Sequence, residues 1–351
     1  MSSIDLIKES IYCDTIVRKD EYNYSATKEY YDYLLQALSI EDFPLIEINT
    51  INKRTYMCES ISDNRYYLVF DHHFLDCIYE IDQIVMDKHG PIFLDSFLHK
   101  TLAEECYCNR RYALSILFSG QYLNTLDKVI KEYNKEDSNN SLSTPLFIQQ
   151  AFLIAHELFH YVLNKDASLL STGIEKKRLF IRSLLDTSIK DLMEKHINDR
   201  VFLEECLCDA TGMMQAIEIA RSLGKMNVEE AASASAMAIM GQITISTIQE
   251  AVRKSLDISF DNILDKSKAR LMHFLAFVPQ YIEERFSVEE SHIFMKEFRS
   301  MHLSWLYKIQ LPIIDKLITY RKDFKKDSNR DNLSIEELGR TRQVLIQIFN
   351  T

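Results

Sequence analysis

Helix-breaking residues are scarce throughout this chain. Its 351 residues include only seven glycines and five prolines, whereas average usage is roughly 7% and 5%. Long stretches of 3.6-residue hydrophobic periodicity fill the space between the few breakers, so the expected fold is mainly α. Periodicity places helices at about 72–88, 93–118, 121–134, 145–164, 174–195, 199–223, 227–254, 262–285, 288–324 and 334–348. Gly90-Pro91 is a stop, and the polar run from Lys135 to Ser143 reads as a loop. Lys325 to Asn332 links a final amphipathic helix, in which Ser334 and Glu337 have capping-box spacing. One region departs from the helical pattern. Pro44–Asn49, Thr55–Ser60 and Tyr66–Asp71 are short, rich in Ile, Tyr, Val and Leu, and separated by polar turns. They read as a small antiparallel meander near the N-terminus.

Within this helical chain, residues His156 to His160 spell His-Glu-Leu-Phe-His, an H-E-x-x-H pattern. Residues four apart share a helix face, so His156 and His160 can grip one metal ion. Glu157 stands beside the first of them, where a carboxylate can take a proton from an activated water. Thr144 and Pro145 form a good helix entry, a hydroxyl cap followed by a proline at the first helical position. No charge occurs between Leu146 and His156, and apolar side chains fall on every face, as in a buried helix. Imidazoles placed there need partners, because unpaired buried polar groups are costly. A metal would satisfy both, and backbone hydrogen bonds to two core histidines are the bland alternative.

A third ligand is expected, since catalytic zinc usually takes three protein ligands and leaves a fourth position open. Val201 to Ala220 reads as a helix on which Glu205 and Asp209 share a face with the small residues Gly212 and Ala216. Such a stripe lets this helix approach the His156–His160 helix closely. Glu205 is assigned as the third ligand. Asp209 is assigned to accept the outer N–H of a ligand histidine. Glu204 competes for the ligand role, but its face continues through Cys208 and Thr211, a poorer packing stripe.

HELFH followed by a helix with Glu205 and Asp209 resembles the gluzincin metallopeptidases. The resemblance covers roughly residues 65–275 and rests on these two motifs. It implies a zincin-like (α+β) core, with Zn2+ on His156, His160 and Glu205, Glu157 as general base, and Asp209 supporting a histidine. The separation of His160 from Glu205 resembles intracellular branches with a helix inserted between the motifs, such as the CAAX-protease type or the phage-exclusion peptidases. Many gluzincins carry a later His, Tyr or Arg that stabilises the oxyanion. Arg270 and His273, three apart on an expected helix, are the nearest candidates here. The resemblance also implies an edge strand that pairs with substrate backbone. Residues 1–285 are then the catalytic domain with its β-meander, and 286–351 a helical C-terminal extension.

A formal net charge of −11 argues against a nucleic-acid partner and against an anionic membrane surface. The N-terminal MSSIDLIKESIYCD lacks the apolar core of a signal peptide. Ala231 to Gln249 is free of charge and rich in Ser, Ala and Thr, which suits a packed internal helix better than a membrane span. Seven cysteines, an odd number without a secretion signal, fit reduced thiols in the cytoplasm. Cys106/Cys108 and Cys206/Cys208 form C-x-C pairs whose sulfurs diverge on a helix, so they read as small buried hydrophobes. His72 and His73 diverge by about 100° on a helix and read as a helix start. His89, His99, His196, His292 and His302 have no ligand-like partner at useful spacing.

The expected function is a zinc-dependent metalloendopeptidase acting on a cytosolic protein or peptide, with stress or phage defence as a setting by analogy alone. Two alternatives stand beside it. One is a zinc hydrolase of small molecules or short peptides, and the other a non-catalytic helical scaffold stabilised by zinc. The sequence leaves the oligomeric state open.

Overall fold

Small side chains near the middle of the sequence set the architecture. A computed structural model describes residues 3–17, 25–60, 63–86, 91–133, 145–183, 187–224, 226–327 and 335–349. The longest runs of Ala, Ser, Gly and Thr fall on one helix, Val228–Arg253, which packs against six others. Numbered in chain order, the helices are α1 (Ser3–Asp14), α2 (Ser25–Ala37), α3 (His72–Val85), α4 (Pro91–Cys108), α5 (Tyr112–Tyr133), α6 (Pro145–Lys165) and α7 (Ala167–Ser183). There follow α8 (Thr187–Glu194), α9 (Arg200–Ser222), α10 (Val228–Arg253), α11 (Phe260–Arg285), α12 (Val288–Trp305), α13 (Leu311–Asp327) and α14 (Ile335–Phe349). A π-helical turn, Leu306–Gln310, joins α12 to α13.

Helix α10 is the internal post. It is apolar enough to cross a membrane by length and composition, as is α6, but 89% of its apolar window is buried by neighbouring helices. A Cβ on Gly241 would meet Ile78 Cγ1 at 2.8 Å, so the glycine sets the close approach of α10 to α3. Trp305 Nε1 donates to Thr244 Oγ1 at 3.0 Å and Gln310 Nε2 to Thr247 Oγ1 at 3.1 Å, which pins the π turn to the same post. Residues after 286 contribute Phe294, Phe298, Trp305, Ile313, Leu317 and Phe324 to the core shared with α3 and α10. A boundary at 286 therefore runs through common packing. A second, smaller core joins α7 and α8 to the first turns of α9 through Leu170, Ile174, Ile181, Met193, Phe202 and Leu203.

The sheet differs from an antiparallel meander. Its strands are β1 (Leu45–Ile48), β2 (Tyr56–Glu59) and β3 (Tyr66–Asp71), in the order β1-β3-β2. β1 lies parallel to β3 and β2 antiparallel to it, so the sheet is mixed. The cause is visible at the strand ends. Asp71 accepts from Thr50 N at 2.9 Å and from Thr50 Oγ1 at 2.5 Å, which holds the C-terminal ends of β1 and β3 side by side. The chain then crosses beneath β3 instead of turning back. Ile51 and Lys53 are buried in that crossing, and Lys53 takes a left-handed φ of 50°.

Helix boundaries moved where no glycine or proline marks them. The expected break near Gly120 is absent, because Gly120 lies within α5. The chain turns instead at Arg110, whose φ of 59° lets Arg111 N reach Cys106 O at 2.7 Å in a helix-ending loop. Asp166 Oδ1 accepts from Ser168 N and Leu169 N, both at 2.9 Å, and starts α7 well before residue 174. His72 does begin a helix, with Asp71 as N-cap. Ser334, Thr144, Gly90 and the run 135–143 lie outside the described residues.

Candidate metal centre

Two helices make the site. α9 lies against α6 because Gly212 leaves no room for a side chain there, since a Cβ would stand 2.9 Å from the Phe152 carbonyl. Ala216 continues that buried face. The close approach brings Glu205 over the His156–His160 face of α6. Nε2 of His160 lies 3.3 Å from Nε2 of His156. Glu205 Oε2 lies 3.6 Å from His156 Nε2, and Oε1 lies 3.4 Å from His160 Nε2. At a tetrahedral centre with ligands about 2.0–2.2 Å away, neighbouring ligand atoms stand roughly 3.3–3.5 Å apart. The three side chains form the one group with metal-ligand spacing found among the described residues.

The outer nitrogens fix the chemistry of the inner ones. His156 Nδ1 faces Asp209 Oδ1 at 3.1 Å, and His160 Nδ1 faces Glu204 Oε1 at 3.0 Å. A carboxylate at Nδ1 keeps the proton there and turns Nε2 into a lone-pair acceptor. Two imidazole lone pairs and a carboxylate then converge on one point, an arrangement that calls for a cation. In the metal-free chain a proton supplies part of it. Burial alone would lower the pKa of His160, but Glu205, Glu157 and Glu204 outweigh it and raise it to about 9. The donor set of two imidazoles and a carboxylate suits zinc. Glu204 is thus a support for His160, while Glu205 points at the ligand atoms.

Arg270 of α11 closes the far side. Its Nε and Nη2 grip Asp209 Oδ2 and Oδ1 at 2.6 and 2.7 Å, and Nη2 also reaches Gln242 Oε1 at 2.8 Å and Glu205 Oε2 at 3.2 Å. Burial would raise both carboxyls, yet Arg270 and the histidines hold Glu205 at about 2 and Asp209 well below the usual range. The structure therefore makes Arg270 a clamp on the carboxylates behind the ligands. An oxyanion would have to compete with those carboxylates for it. His273 is fully buried, stacked on Phe277 at 6.2 Å with Phe180 edge-on at 5.8 Å. Burial and nearby Lys177 hold its pKa well below the usual value. It lines neither cavity beside the site, so its geometry gives an oxyanion role no support.

Glu157 lies on the open side. It lines a cavity of about 380 Å³ together with Lys53, Arg54, Tyr56, Gln242 and Arg253. A second cavity, about 410 Å³, is lined by Glu205 and Arg270 and shares Ser246 and Glu250 with the first. The two hollows lie side by side along α10 as a trough-like surface, with Glu157 lining one and Glu205 the other. Burial pushes the Glu157 carboxyl up, and Glu205 adds to the push against the two histidines and Arg270. β2 is the edge strand on this side, and Tyr56 carries it to the cavity wall. Of the paired cysteines, Cys106, Cys206 and Cys208 are buried as expected, whereas Cys108 is exposed with its Sγ 3.2 Å from Asn52 Oδ1.

Sequence reasoning missed Glu204 as a partner of His160, Gln242 as a brace for Arg270, and the arginines of the trough. The spacing of Glu204 from Glu205 carried a signal, since adjacent helical positions can serve neighbouring histidines. No known protein family, curated protein or solved structure matches this chain.

Proposed function

We propose that the protein is a zinc metallopeptidase, with a zincin-like core, that hydrolyses peptide bonds of a protein substrate. The convergence of His156 Nε2, His160 Nε2 and a Glu205 oxygen within 3.3–3.6 Å, each histidine backed by a carboxylate, carries the reading. Bound there, zinc would supply Lewis acidity to a scissile carbonyl and to the attacking water. Glu157 accepts the proton of that water and delivers it to the leaving amine. Its raised pKa brings the carboxyl nearer the neutral range in which both transfers are efficient. Asp209 and Glu204 orient the imidazoles, and Arg270 keeps Asp209 and Glu205 ionised. An extended peptide can lie along β2, whose first residue Tyr56 lines the Glu157 cavity, and add a strand to the sheet. All seven cysteines are free thiols, which suits a reducing cytoplasm as the place of action.

The test compares new protein N-termini in cells expressing the native chain or its Glu157→Gln variant. Cuts present only with the native chain support the reading. Purified native and variant chains that both bind zinc, yet yield no differential cuts in cells or in extracts, count against peptide-bond hydrolysis.

A further inference from the structure

The cavity beside Glu157 gathers cationic side chains in an acidic protein. Five charged side chains line the cavity there: Lys53, Arg54, Glu157, Glu250 and Arg253. Lys53 is neutralised from behind, with its Nζ 2.7 Å from Glu104 Oε2 and 2.9 Å from Glu105 Oε1. Glu250 could reach Arg253 three residues on, but its Oε1 is held by Lys254 Nζ at 2.7 Å. Arg54 and Arg253 are left. Among the described residues neither makes an ion pair, and both stand exposed at the cavity that holds the proposed base. They belong to a protein of net charge −11, in which most arginines and lysines facing a cleft would be expected to find a carboxylate.

Both arginines are presented from a common, rigid base. Arg54 follows Lys53, whose left-handed backbone and buried ammonium fix the crossing segment on α4. Arg253 lies in the last turn of α10, one helical turn after Gln249, whose Nε2 donates to Glu105 Oε1 at 3.3 Å. Glu105 thus ties together the two elements that carry the arginines. A guanidinium offers a planar pair of donors matched to a carboxylate, and in a partly enclosed cleft that interaction is stronger than in open water.

We infer that Arg54 and Arg253 form an anion-binding subsite next to the scissile bond, so that the preferred substrate is an acidic peptide, with an Asp or Glu side chain or a free C-terminal carboxylate beside the bond to be cut. The inference rests on the metallopeptidase reading of the same cleft. It adds what that reading leaves open, the chemical class of substrate. The net charge of −11 disfavours such peptides overall, so the arginines act as a local guide into the trough and the attraction weakens as salt is raised.

The experiment uses the zinc-loaded full chain and three short probes, dipeptide hydroxamates carrying Asp, Ala or Lys next to the hydroxamate. Their dissociation constants are measured by calorimetry for the native chain and for the Arg54→Glu/Arg253→Glu variant. The native chain is expected to hold the Asp probe roughly tenfold tighter than the Lys probe, and the variant to reverse that order. The Ala probe should bind both alike, which shows that the variant is folded and its metal grip intact. Equal affinities for all three probes in the native chain, or the same order in the variant, overturn the subsite. A native chain that prefers the Asp probe but cuts no protein refutes the peptidase reading and leaves the subsite standing. A chain that takes up no zinc and binds no probe refutes both.

Discussion

Replacing Lys53 by methionine should be among the most damaging single changes in the protein, although it pairs with none of His156, Glu157, His160 and Glu205. Lys53 and Glu104 side chains are both 0% exposed, and the ammonium is shared among Glu104, Glu105 and the Ile51 carbonyl at 2.7–2.9 Å. Glu104 leans in turn on His73 Nε2 at 2.9 Å. Methionine fills the volume but leaves two buried carboxylates with His73 and Gln249 as their remaining partners. Removing one partner of a buried pair typically costs about 3–5 kcal/mol, a large part of the roughly 5–15 kcal/mol that holds a typical domain folded. The sign of the pH dependence follows from Glu104. Burial would raise its carboxyl, but His73 and Lys53 outweigh burial and hold it well below the ordinary value of 4.5. Its pairing energy is therefore complete above about pH 4.5 and is lost as pH falls toward the folded value. The native-minus-variant difference should be full at pH 7 and shrink on the way to pH 4, where the abandoned carboxylate takes up a proton. Urea unfolding at pH 7, 5.5 and 4 measures this. A loss below about 1 kcal/mol at pH 7, the range of an exposed ion pair, or a loss equal at all three values, would show that the cluster does not hold the crossing segment. Adding Glu104→Gln to the variant should recover part of the loss, because it removes the stranded charge.

Gly212→Val should cost about 1–3 kcal/mol by overpacking, since even a Cβ at that position meets the Phe152 carbonyl at 2.9 Å. It should also weaken zinc binding by pushing Glu205 away from the histidines, and a variant with native zinc affinity would contradict the close approach as the source of the site. Asp209→Asn should lower zinc affinity about 10–100-fold, as read by competition with a chromophoric chelator, because the His156 tautomer loses its carboxylate. Stripping the metal from a zinc-loaded sample should lower stability, by about 2.7 kcal/mol where free zinc had stood at 100 times its dissociation constant. The same treatment of Glu205→Gln should change far less, and an equal change in both would separate zinc from this site.

The parts of the site that obey local rules were legible in the sequence. His156, His160, Glu205 and Asp209 follow the four-residue period of a helix, and Gly212 and Ala216 mark the face on which the two helices meet. The internal placement of α10 followed from its uncharged, small-residue stretch from Ala231 to Gln249. What failed depended on distant partners. Strand order turned on a bond between Thr50 and Asp71, 21 residues apart, and a polar connection looks the same whether it forms a hairpin or a crossing. The break between α4 and α5 was hidden because Arg110, not a glycine, takes the left-handed conformation. α1 and α2 were overlooked, since both are short and only mildly apolar. Arg270, considered as an oxyanion donor, lies beside the cluster and braces Asp209, and His273 faces the aromatic core.

α7 and α8, with their own small core, lie on the stretch of chain between His160 and Glu205. An ion held by His160 and Glu205 would therefore act as a staple. It would close a loop of 45 residues whose ends also meet through packing of α6 on α9 and the contact of His160 with Glu204. A cross-link of that span removes chain entropy from the unfolded ensemble worth about 4 kcal/mol in the simple polymer picture. The metal would then govern how often this loop opens. Without it, α7 and α8 should exchange their amide hydrogens, and admit a protease, long before the helices around α10 do.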